Sequence, residues 1–391
     1  MNVKALVKIP VVDVAGQSLK AYGKDILSCY NFFPLAPDKG SSSCLRLHQL
    51  LFNQIVTIVR EFHNGEVAVE VPHLIYIDTF HRKRNDYWML KKDLIPLNAL
   101  KKEWHAAIPF ESLPKDSILI LKAPWFEETT KKIFSAGSRF VREPGRDTEQ
   151  VWAVRFLDFD NKAIRKAEVP KDIGLVANTK SFERAREIFL QLIKSWSHPP
   201  DGIIPYVYGG CSMTGTSPDK IFEVKKGYQC GLRAWYWQRP DILNTTPLSG
   251  FDCSGMIYLA AQIAGLPYYF KNTLSLTTFL KPLESGELLA EGDLIWYQGH
   301  VLVVSDRKKN LVIEAVGYDS GFGKVHEVPL HKVFADIKTF DQLMKVYFHK
   351  HFIRRLNKTG KPYRSVYRVK ILKLPRYDSD KDLKNEISLS Q

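Results

Sequence analysis

Apolar and polar residues alternate with a period of two through much of the first hundred positions, a pattern typical of strands that bury one face. The pattern predicts strands at residues 54–60, 66–71 and 87–90, with a tight turn at residues 63–65 between the first two. Few apolar residues there recur at helical spacing. We therefore expect residues 5–97 to form a small β-barrel rather than a sheet layered with helices.

The same strand-rich character continues through the next eighty or so positions. Strands are predicted at residues 117–122, 139–142 and 151–156, and an acidic turn is predicted at residues 158–161. A second small barrel is therefore expected at residues 98–175. The pattern then changes, because residues 179–197 place their apolar side chains on one face of a helix. This change indicates the start of a third unit.

A second helix is predicted over residues 251–265, where apolar residues recur at helical spacing and Gly265 with Pro267 gives a stop signal. Cys253 lies at the start of this helix. The unpaired amides and the positive end of the helix dipole favour a thiolate over a thiol at such a position. Cys253 is therefore a candidate nucleophile near neutral pH.

A histidine follows at a suitable place downstream. Residues 301–305 and 311–316 are predicted strands, and the turn at residues 306–310 joins them as a hairpin. His300 directly precedes the first strand and is the best-placed candidate base. A helix carrying cysteine, packed against an antiparallel sheet carrying histidine, is the papain-like way of assembling a cysteine hydrolase.

Composition narrows the class of protein. The chain has 391 residues, enough for two or three domains, and its 45% hydrophobic and 25% charged residues are ordinary for a globular protein. The formal net charge of +14 calls for an anionic partner or surroundings, such as nucleic acid, a membrane surface or an acidic wall polymer. No RNA-binding signature, metal finger or basic zipper accompanies the basic clusters, so we expect no nucleic-acid partner.

Cysteine usage and the N-terminus bear on the compartment. Five cysteines at irregular spacing argue against a disulfide framework, and without a CxxC pair we expect no metal site. The N-terminal stretch resembles neither a secretory leader nor a membrane span, and no transmembrane segment is expected. Either the protein stays in the cytoplasm, or a leader has been removed and the protein works in the cell envelope or periplasm.

A long insertion at residues 211–249 separates the two predicted helices of the third unit. Its aromatic residues are Tyr228, Trp235, Tyr236 and Trp237. These side chains either roof the cleft or pack locally, and local packing is the simpler interpretation. Cys211 and Cys230 are expected to be unpaired structural thiols. The polar tail after residue 377 is expected to fray.

A family resemblance rests on YVYGG, FDCSG, EGDLIWY, GHVLVV and VIEAVG, which follow one another in this order within residues 204–330. Together they resemble the NlpC/P60 family of bacterial wall-peptide hydrolases. The earlier stretch RLHQLLFNQIVTIVREFHNGEVAVEV resembles the first of two SH3b domains in the γ-D-glutamyl-L-diamino acid endopeptidases. The resemblance implies an α+β fold in which two small SH3b-like β-barrels precede a papain-like NlpC/P60 catalytic domain. The implied units are residues 5–97, 98–175, 179–350 and a basic C-terminal extension at 351–391.

The resemblance also implies the catalytic roles. Cys253 would be the nucleophile, and His300 the general base that later protonates the leaving amine. The family's third polar residue, usually a histidine, falls at Glu314 in this chain. A carboxylate can accept the imidazole N–H and stabilise an imidazolium, which would favour a thiolate–imidazolium pair. His326 is an alternative orienting residue, and a solvent-facing Glu314 is the plain alternative to a catalytic one.

Further site residues follow from the same motifs. Tyr206 matches a family tyrosine whose hydroxyl can assist the oxyanion, with the backbone N–H of Cys253 as a second donor. Asp252 and Ser254 flank the nucleophile as the motif requires. Tyr87, in the first barrel, is the candidate aromatic residue that closes the far end of the cleft.

Substrate recognition is where the chain departs from the family pattern. An Arg-Asp pair that holds the free amine of an L-Ala-γ-D-Glu end is expected just past the cysteine helix, and this chain has Lys271 and Asn272 there. A neutral amide holds an ammonium group less strongly than a carboxylate does. A strict requirement for a free N-terminal L-Ala is therefore not expected.

Three functions fit these observations. The leading hypothesis is a monomeric cysteine endopeptidase that hydrolyses peptidoglycan stem peptides or muropeptides, at the bond between γ-D-Glu and the diamino acid. A thiol–imidazole mechanism needs no metal or organic cofactor. The first alternative is a wall-binding SH3b protein with little turnover, and the second is an acyltransferase or amidase on the same fold.

Overall fold

The computed structural model describes residues 2–18, 46–78, 80–178, 181–216, 249–317 and 322–375. Over these ranges the chain is a mixed α/β structure, mostly antiparallel sheet with few helices. No helix in these ranges is long and apolar enough to cross a bilayer. Several predicted features lie outside the described residues, namely Tyr228, Cys230, Trp235, Tyr236, Trp237 and the tail after residue 377.

The first part of the chain forms a seven-stranded sheet. Its strands are β1 (Val3–Val7), β2 (Val11–Ala15), β3 (Arg46–Leu51), β4 (Ile55–Glu61), β5 (Glu66–Glu70), β6 (Tyr87–Leu90) and β7 (Leu94–Pro96), in the spatial order β3-β2-β6-β5-β4-β1-β7. Strands β4, β5 and β6 confirm the three predicted here. The turn between β4 and β5 contains Gly65 at φ +84°, a left-handed conformation that glycine adopts without strain.

A five-stranded sheet follows, with a separate two-stranded ribbon. The strands are β8 (Ile118–Leu121), β9 (Trp125–Glu127), β10 (Lys132–Phe134), β11 (Arg139–Arg142), β12 (Val151–Asp158), β13 (Ala163–Pro170) and β14 (Gly174–Val176). The sheet order is β13-β12-β11-β8-β14, and β9 pairs with β10. The predicted acidic turn is confirmed, because the Asp158 carboxylate accepts hydrogen bonds from the backbone N–H groups of Asp160 and Asn161.

The last part of the chain contains the α-helices that occur among the described residues. They are α1 (Phe182–Ser197), α2 (Cys253–Ala264), α3 (Thr273–Phe279), α4 (Leu330–Val333) and α5 (Phe340–His349). The strands are β15 (Cys211–Ser212), β16 (Gly250–Phe251), β17 (Leu294–Tyr297), β18 (His300–Asp306), β19 (Leu311–Val316), β20 (Lys324–Pro329), β21 (Ile353–Leu356), β22 (Pro362–Val366) and β23 (Val369–Leu372). Helices α1 and α2 and the β18–β19 hairpin confirm the elements predicted there.

A five-stranded sheet in the order β20-β19-β18-β17-β23 supports helix α2. Strand β23 comes from the segment expected to be a C-terminal extension, and it pairs with β17 along its whole length. Strands β15 and β16 form one two-stranded sheet, and β21 and β22 form another. Strand β23, at Val369–Leu372, is therefore part of the same sheet that carries His300.

Strand β18 separates two hydrophobic cores. Helix α2 is apolar on almost every side and is buried accordingly, sharing its core with α1, the first sheet, Val301 and Val303. Leu302 and Val304 point to the other face and pack with residues of α5 and β21. This division follows from the alternation of side chains along a strand.

The first sheet is tied to the segment that follows α2. Ile75 lies in the segment that connects β5 and β6. Its backbone N–H donates to the Tyr269 carbonyl (2.8 Å), and its carbonyl accepts a hydrogen bond from the Lys271 N–H (3.0 Å). Asn272 donates its side-chain amide to the Ile77 carbonyl (2.5 Å). These bonds position the residues beside the start of α2.

Candidate active site

Helix α2 begins at Cys253 because Asp252 caps it. The Asp252 carboxylate accepts hydrogen bonds from the Gly255 backbone N–H (2.5 Å) and the Ser254 hydroxyl (2.9 Å). Gly255 packs directly on the backbone of Gly210, and a Cβ at position 255 would lie 2.0 Å from the Gly210 carbonyl oxygen. Asp252, Ser254 and Gly255 of the DCSG motif each therefore have a local structural reason to be there.

Lys271, predicted to lie at a substrate-binding position, forms an ion pair with this cap. Its Nζ is 2.7 Å from the Asp252 carboxylate, and its side chain is only 1% exposed. Burial acts to lower the pKa of Lys271, but the Asp252 charge outweighs it and the pKa lies above its ordinary value. Lys271 is therefore a buried cation, and Asp252 is engaged by both Lys271 and the helix cap.

Asn272 caps the short helix α3. Its side-chain oxygen accepts a hydrogen bond from the Ser275 backbone N–H (3.0 Å), while its amide donates to the Ile77 carbonyl. Both ends of the amide are thus used within the protein. The structure gives Asn272 a capping contact, and contact with a substrate amine stays a prediction.

The expected thiolate at the helix start is wrong for this structure. Cys253 is buried, and burial raises the pKa of its thiol to about 12, with the Asp252 charge acting in the same direction. Hydrogen bonding from the backbone N–H groups of Val301 and Ser254, together with the Lys271 charge, acts in the opposite direction. Desolvation dominates, because a thiolate loses more hydration here than these partners replace.

His300 and Glu314 are in direct contact. The His300 Nε2 lies 2.8 Å from Glu314 Oε2, and the Glu314 side chain is fully buried. Burial acts to raise the pKa of Glu314, but Arg355 and the hydrogen bonds from His300 and His326 hold it well below its ordinary value. An ionised carboxylate can only accept hydrogen bonds, so Nε2 must carry the proton. In the neutral His300 ring, Nδ1 is then the basic nitrogen.

His326 does not orient His300 directly. It is the cross-strand partner of Glu314 on β20, and its Nε2 lies 3.1 Å from Glu314 Oε1. Of the two candidates for orienting His300, Glu314 makes the contact with the ring. His326 is a second hydrogen-bond donor to the same carboxylate.

The expected thiolate–imidazolium pair is not favoured either. Burial lowers the pKa of His300, and the Glu314 carboxylate opposes this shift while Arg355 and Arg364 reinforce it. The net direction is downward, so the ring is neutral near neutral pH. With the Cys253 pKa raised at the same time, the pair is a neutral thiol and a neutral imidazole.

The Cys253 thiol lies against the start of β18, the strand that begins at His300. The backbone N–H of Val301, the residue after His300, is directed at the Cys253 thiol. The His300 ring packs beside Tyr297, with ring centres 5.4 Å apart, and Tyr297 belongs to the core on the far face of the sheet. Within the described part of the chain, no hydrogen bond joins the thiol to the His300 ring.

Tyr206 forms a parallel bridge with Phe251, two residues before Cys253, and Tyr268 lies close enough to the thiol to interact with it electrostatically. Tyr206 is half-buried, donates its backbone N–H to the Gly323 carbonyl (2.8 Å) and packs its ring against Gly317, where a Cβ would lie 3.3 Å from the ring. Tyr268 was not predicted. Its buried hydroxyl has no hydrogen-bond partner, and burial raises its pKa well above the ordinary value, with the Cys253 charge adding to the effect. The sequence signal that could have indicated Tyr268 is its position shortly after the end of α2.

Tyr87 lies on β6 of the first sheet, buried, with a hydroxyl that has no hydrogen-bond partner. It lines a pocket of about 380 Å³ together with His73, Arg84 and Tyr269. Neither Cys253 nor His300 lines this pocket. The structure therefore does not bring Tyr87 into contact with the candidate catalytic pair, and its role at the end of the cleft stays a prediction.

The described ranges contain no group of three or more histidine, cysteine, aspartate or glutamate side chains arranged to hold a metal ion. The cysteines within these ranges, Cys211 and Cys253, are both free thiols.

Comparisons with known proteins add little to this geometry. No protein-family model and no curated protein matches the sequence. Two similar solved structures are NlpC1 from Trichomonas vaginalis, at 12% identity and a TM-score of 0.31 over 85% of this chain and 89% of that one, and NlpC2 from the same organism, at 13% identity and a TM-score of 0.30 over 95% and 98%. A likeness this weak carries no argument about fold or activity.

The Asp252–Lys271 ion pair gives a stability prediction. Replacing Lys271→Met leaves a carboxylate without its buried partner, and we expect the free energy of unfolding to fall by about 3–5 kcal/mol. The double variant Asp252→Asn/Lys271→Met should lose less, because asparagine caps a helix about as well as aspartate. Urea unfolding measures both. Lys309→Met, at a side chain 74% exposed, is the control. A double variant less stable than Lys271→Met would contradict the pairing.

The raised thiol pKa gives a reactivity prediction. Only the thiolate reacts with iodoacetamide, so the alkylation rate at Cys253 should keep rising with pH to about pH 9 and beyond. Peptide mapping by mass spectrometry measures the rate at this one cysteine. A rate that levels off below about pH 7 would show a thiolate-forming site instead.

Proposed function

We propose that the protein is a cysteine peptidase of the NlpC/P60 type that hydrolyses peptidoglycan stem peptides. The proposal is supported by a capped helix N-terminus that bears Cys253 and lies against the backbone N–H of Val301, the residue after His300, together with the contact between His300 and a buried carboxylate. The order of the FDCSG and GHVLVV motifs supports the same class. A papain-like arrangement of helix and sheet, with SH3b-like domains before it, belongs to this proposal.

The first half of the proposed reaction is acylation. His300 Nδ1 takes the thiol proton as Cys253 Sγ attacks the scissile carbonyl carbon, and Glu314 stabilises the imidazolium that forms. The oxyanion accepts hydrogen bonds from the Cys253 backbone N–H and the Tyr206 hydroxyl. The C–N bond then breaks, and the imidazolium donates its proton to the departing amine.

The second half releases the thioester. A water molecule gives a proton to His300 Nδ1 as its oxygen attacks the thioester carbonyl, and the C–S bond breaks. The sulfur leaves as thiolate, recovers its proton from the imidazolium, and a carboxylic acid product departs. The neutral pair of the unliganded site is thereby restored. Charge develops on the sulfur only while substrate is present, which protects a buried thiol from side reactions.

The family resemblance points to the bond between γ-D-Glu and the diamino acid as the cleaved bond. Lys271 and Asn272, which stand at the family's amine-binding positions, already have partners within the protein, because Lys271 pairs with Asp252 and Asn272 caps α3. We therefore infer that a free N-terminal amine is recognised weakly or not at all.

The nucleophile prediction is tested with tripeptide and tetrapeptide muropeptides. Cys253→Ala should reduce the release of amines by at least about 1,000-fold, because it removes the nucleophile. Mass spectrometry of the products gives both rate and cleaved bond. Cys211→Ser is the matched control, since this second buried thiol donates to the Gly255 carbonyl and serine keeps a donor.

Three outcomes separate the functions. Equal hydrolysis by the wild type and Cys253→Ala would overturn the peptidase proposal. Salt-sensitive binding to sacculi without hydrolysis would favour a wall-binding protein. A new amide or ester formed with an added acyl acceptor would indicate acyl transfer.

Amine recognition is tested by capping the substrate. L-Ala-γ-D-Glu-diaminopimelate and its N-acetylated form should be cleaved with kcat/KM values within about threefold of each other, a difference below 1 kcal/mol. A strong preference for the free amine would contradict the assignment of Asn272 to helix capping alone.

A further inference from the structure

We propose that Arg355 is a positioning residue of the active site, whose guanidinium holds the Glu314 carboxylate in the orientation that accepts the His300 N–H. This inference rests on the proposed function for its catalytic meaning, while the contact itself is geometric. Arg355 lies 41 residues from Glu314 in sequence. It belongs to the segment that the family resemblance implied to be a basic C-terminal extension.

The contact engages both oxygens of the carboxylate. Arg355 Nη2 is 2.7 Å from Glu314 Oε1 and 2.9 Å from Oε2, and each side chain is 1% exposed. His300 donates to Oε2, and His326 donates to Oε1. Turning Glu314 away from His300 would therefore break charge-assisted bonds between buried side chains. The guanidinium therefore contacts both of the oxygens to which the histidines donate.

The neighbouring elements hold Arg355 itself in place. It lies on β21, pairs with Phe334 through an isolated bridge, and places its guanidinium 5.9 Å from the centre of the Phe334 ring. The preceding residue, Arg354, points outward and pairs with Asp336 at the surface. Strand alternation therefore sends one arginine of this Arg-Arg pair into the site and the other to solvent.

The contact is not optimised for stability. The Arg355 Nε and Nη1 atoms are buried without a hydrogen-bond partner. Buried ion pairs often contribute little net stability, and unsatisfied donors reduce it further. A buried arginine that leaves two donor atoms unused is better explained by what it does to Glu314 than by the stability it adds.

Arg355 also affects proton affinity at the base. The charged or titratable groups facing His300 are Glu314, Arg355, Arg364 and Tyr297. Glu314 raises the pKa of His300, whereas Arg355 and Arg364 lower it. Removing Arg355 should therefore raise the pH at which the ring protonates, and the acid limb of kcat/KM should move to higher pH because the base must be neutral.

The test compares Arg355→Met, Arg355→Lys and the control Arg354→Met on the stem tripeptide. Arg355→Met should lower kcat by about 10- to 100-fold, as expected for a misplaced catalytic group, with KM little changed and the acid limb shifted upward. Arg355→Lys should keep the acid limb near that of the wild type but recover kcat only partly, because an ammonium cannot reproduce the guanidinium geometry. Arg354→Met should match the wild type in every respect.

A second readout needs no turnover. NMR titration of the His300 ring, assigned with His300→Gln, should show a higher protonation midpoint in Arg355→Met than in the wild type. A folded Arg355→Met protein with an unchanged midpoint and an unchanged acid limb would overturn the proposal. An Arg355→Lys protein with wild-type kcat would also overturn the proposal. This second variant keeps the test decisive if Arg355→Met does not fold. A wild type that cleaves no stem peptide would overturn the proposed function, while the midpoint would still test the contact.

Discussion

Desolvation of the Glu314 carboxylate is the constraint on which the rest of the site depends. A buried carboxylate keeps its charge only where partners replace its hydration, and here Arg355, His300 and His326 do so together. Its charge in turn fixes the proton of His300 on Nε2 and leaves Nδ1 as the base. One buried anion thereby determines the tautomer of the base, the direction of its ring and the need for an arginine from the end of the chain.

The loss of hydration on burial also determines the charge state at the start of helix α2, on the other side of β18. Asp252 caps the helix and is balanced by the buried Lys271, so the field at the thiol combines a nearby anion, a nearby cation and backbone dipoles. None of these outweighs the lost hydration of a thiolate. In a pre-formed thiolate–imidazolium pair, the thiol proton has moved to the histidine before the substrate is attacked. In the neutral pair, this proton moves to His300 during the attack on the substrate.

Local signals predicted the fold around Cys253 and His300 well. Helix α2 was predictable because its apolar residues, its capping aspartate and Gly265 all agree, and the observed αL conformation at Gly265 has a φ of +83°. Short strands such as Val3–Val7 and Val11–Ala15 were missed, since they carry too few residues for alternation to stand out. Glu314 was found through its place in a motif.

Other features depend on contacts between distant parts of the chain and have no local signal. Arg355 looks like any other residue of a basic stretch, and only its pairing across 41 residues distinguishes it. The directions of the Cys253 and His300 pKa shifts depend on burial by elements that sequence alone does not place. The helix-dipole argument identified a real contribution at Cys253, but desolvation is the larger effect.

The protonation state of His300 in the unliganded protein tests the central claim most directly. Nitrogen-15 NMR of the ring at about pH 7 distinguishes the two neutral tautomers from the imidazolium. A neutral ring with its proton on Nε2 is predicted, because Glu314 accepts that proton and burial lowers the pKa of the ring. A doubly protonated ring at that pH would contradict the neutral thiol–imidazole pair.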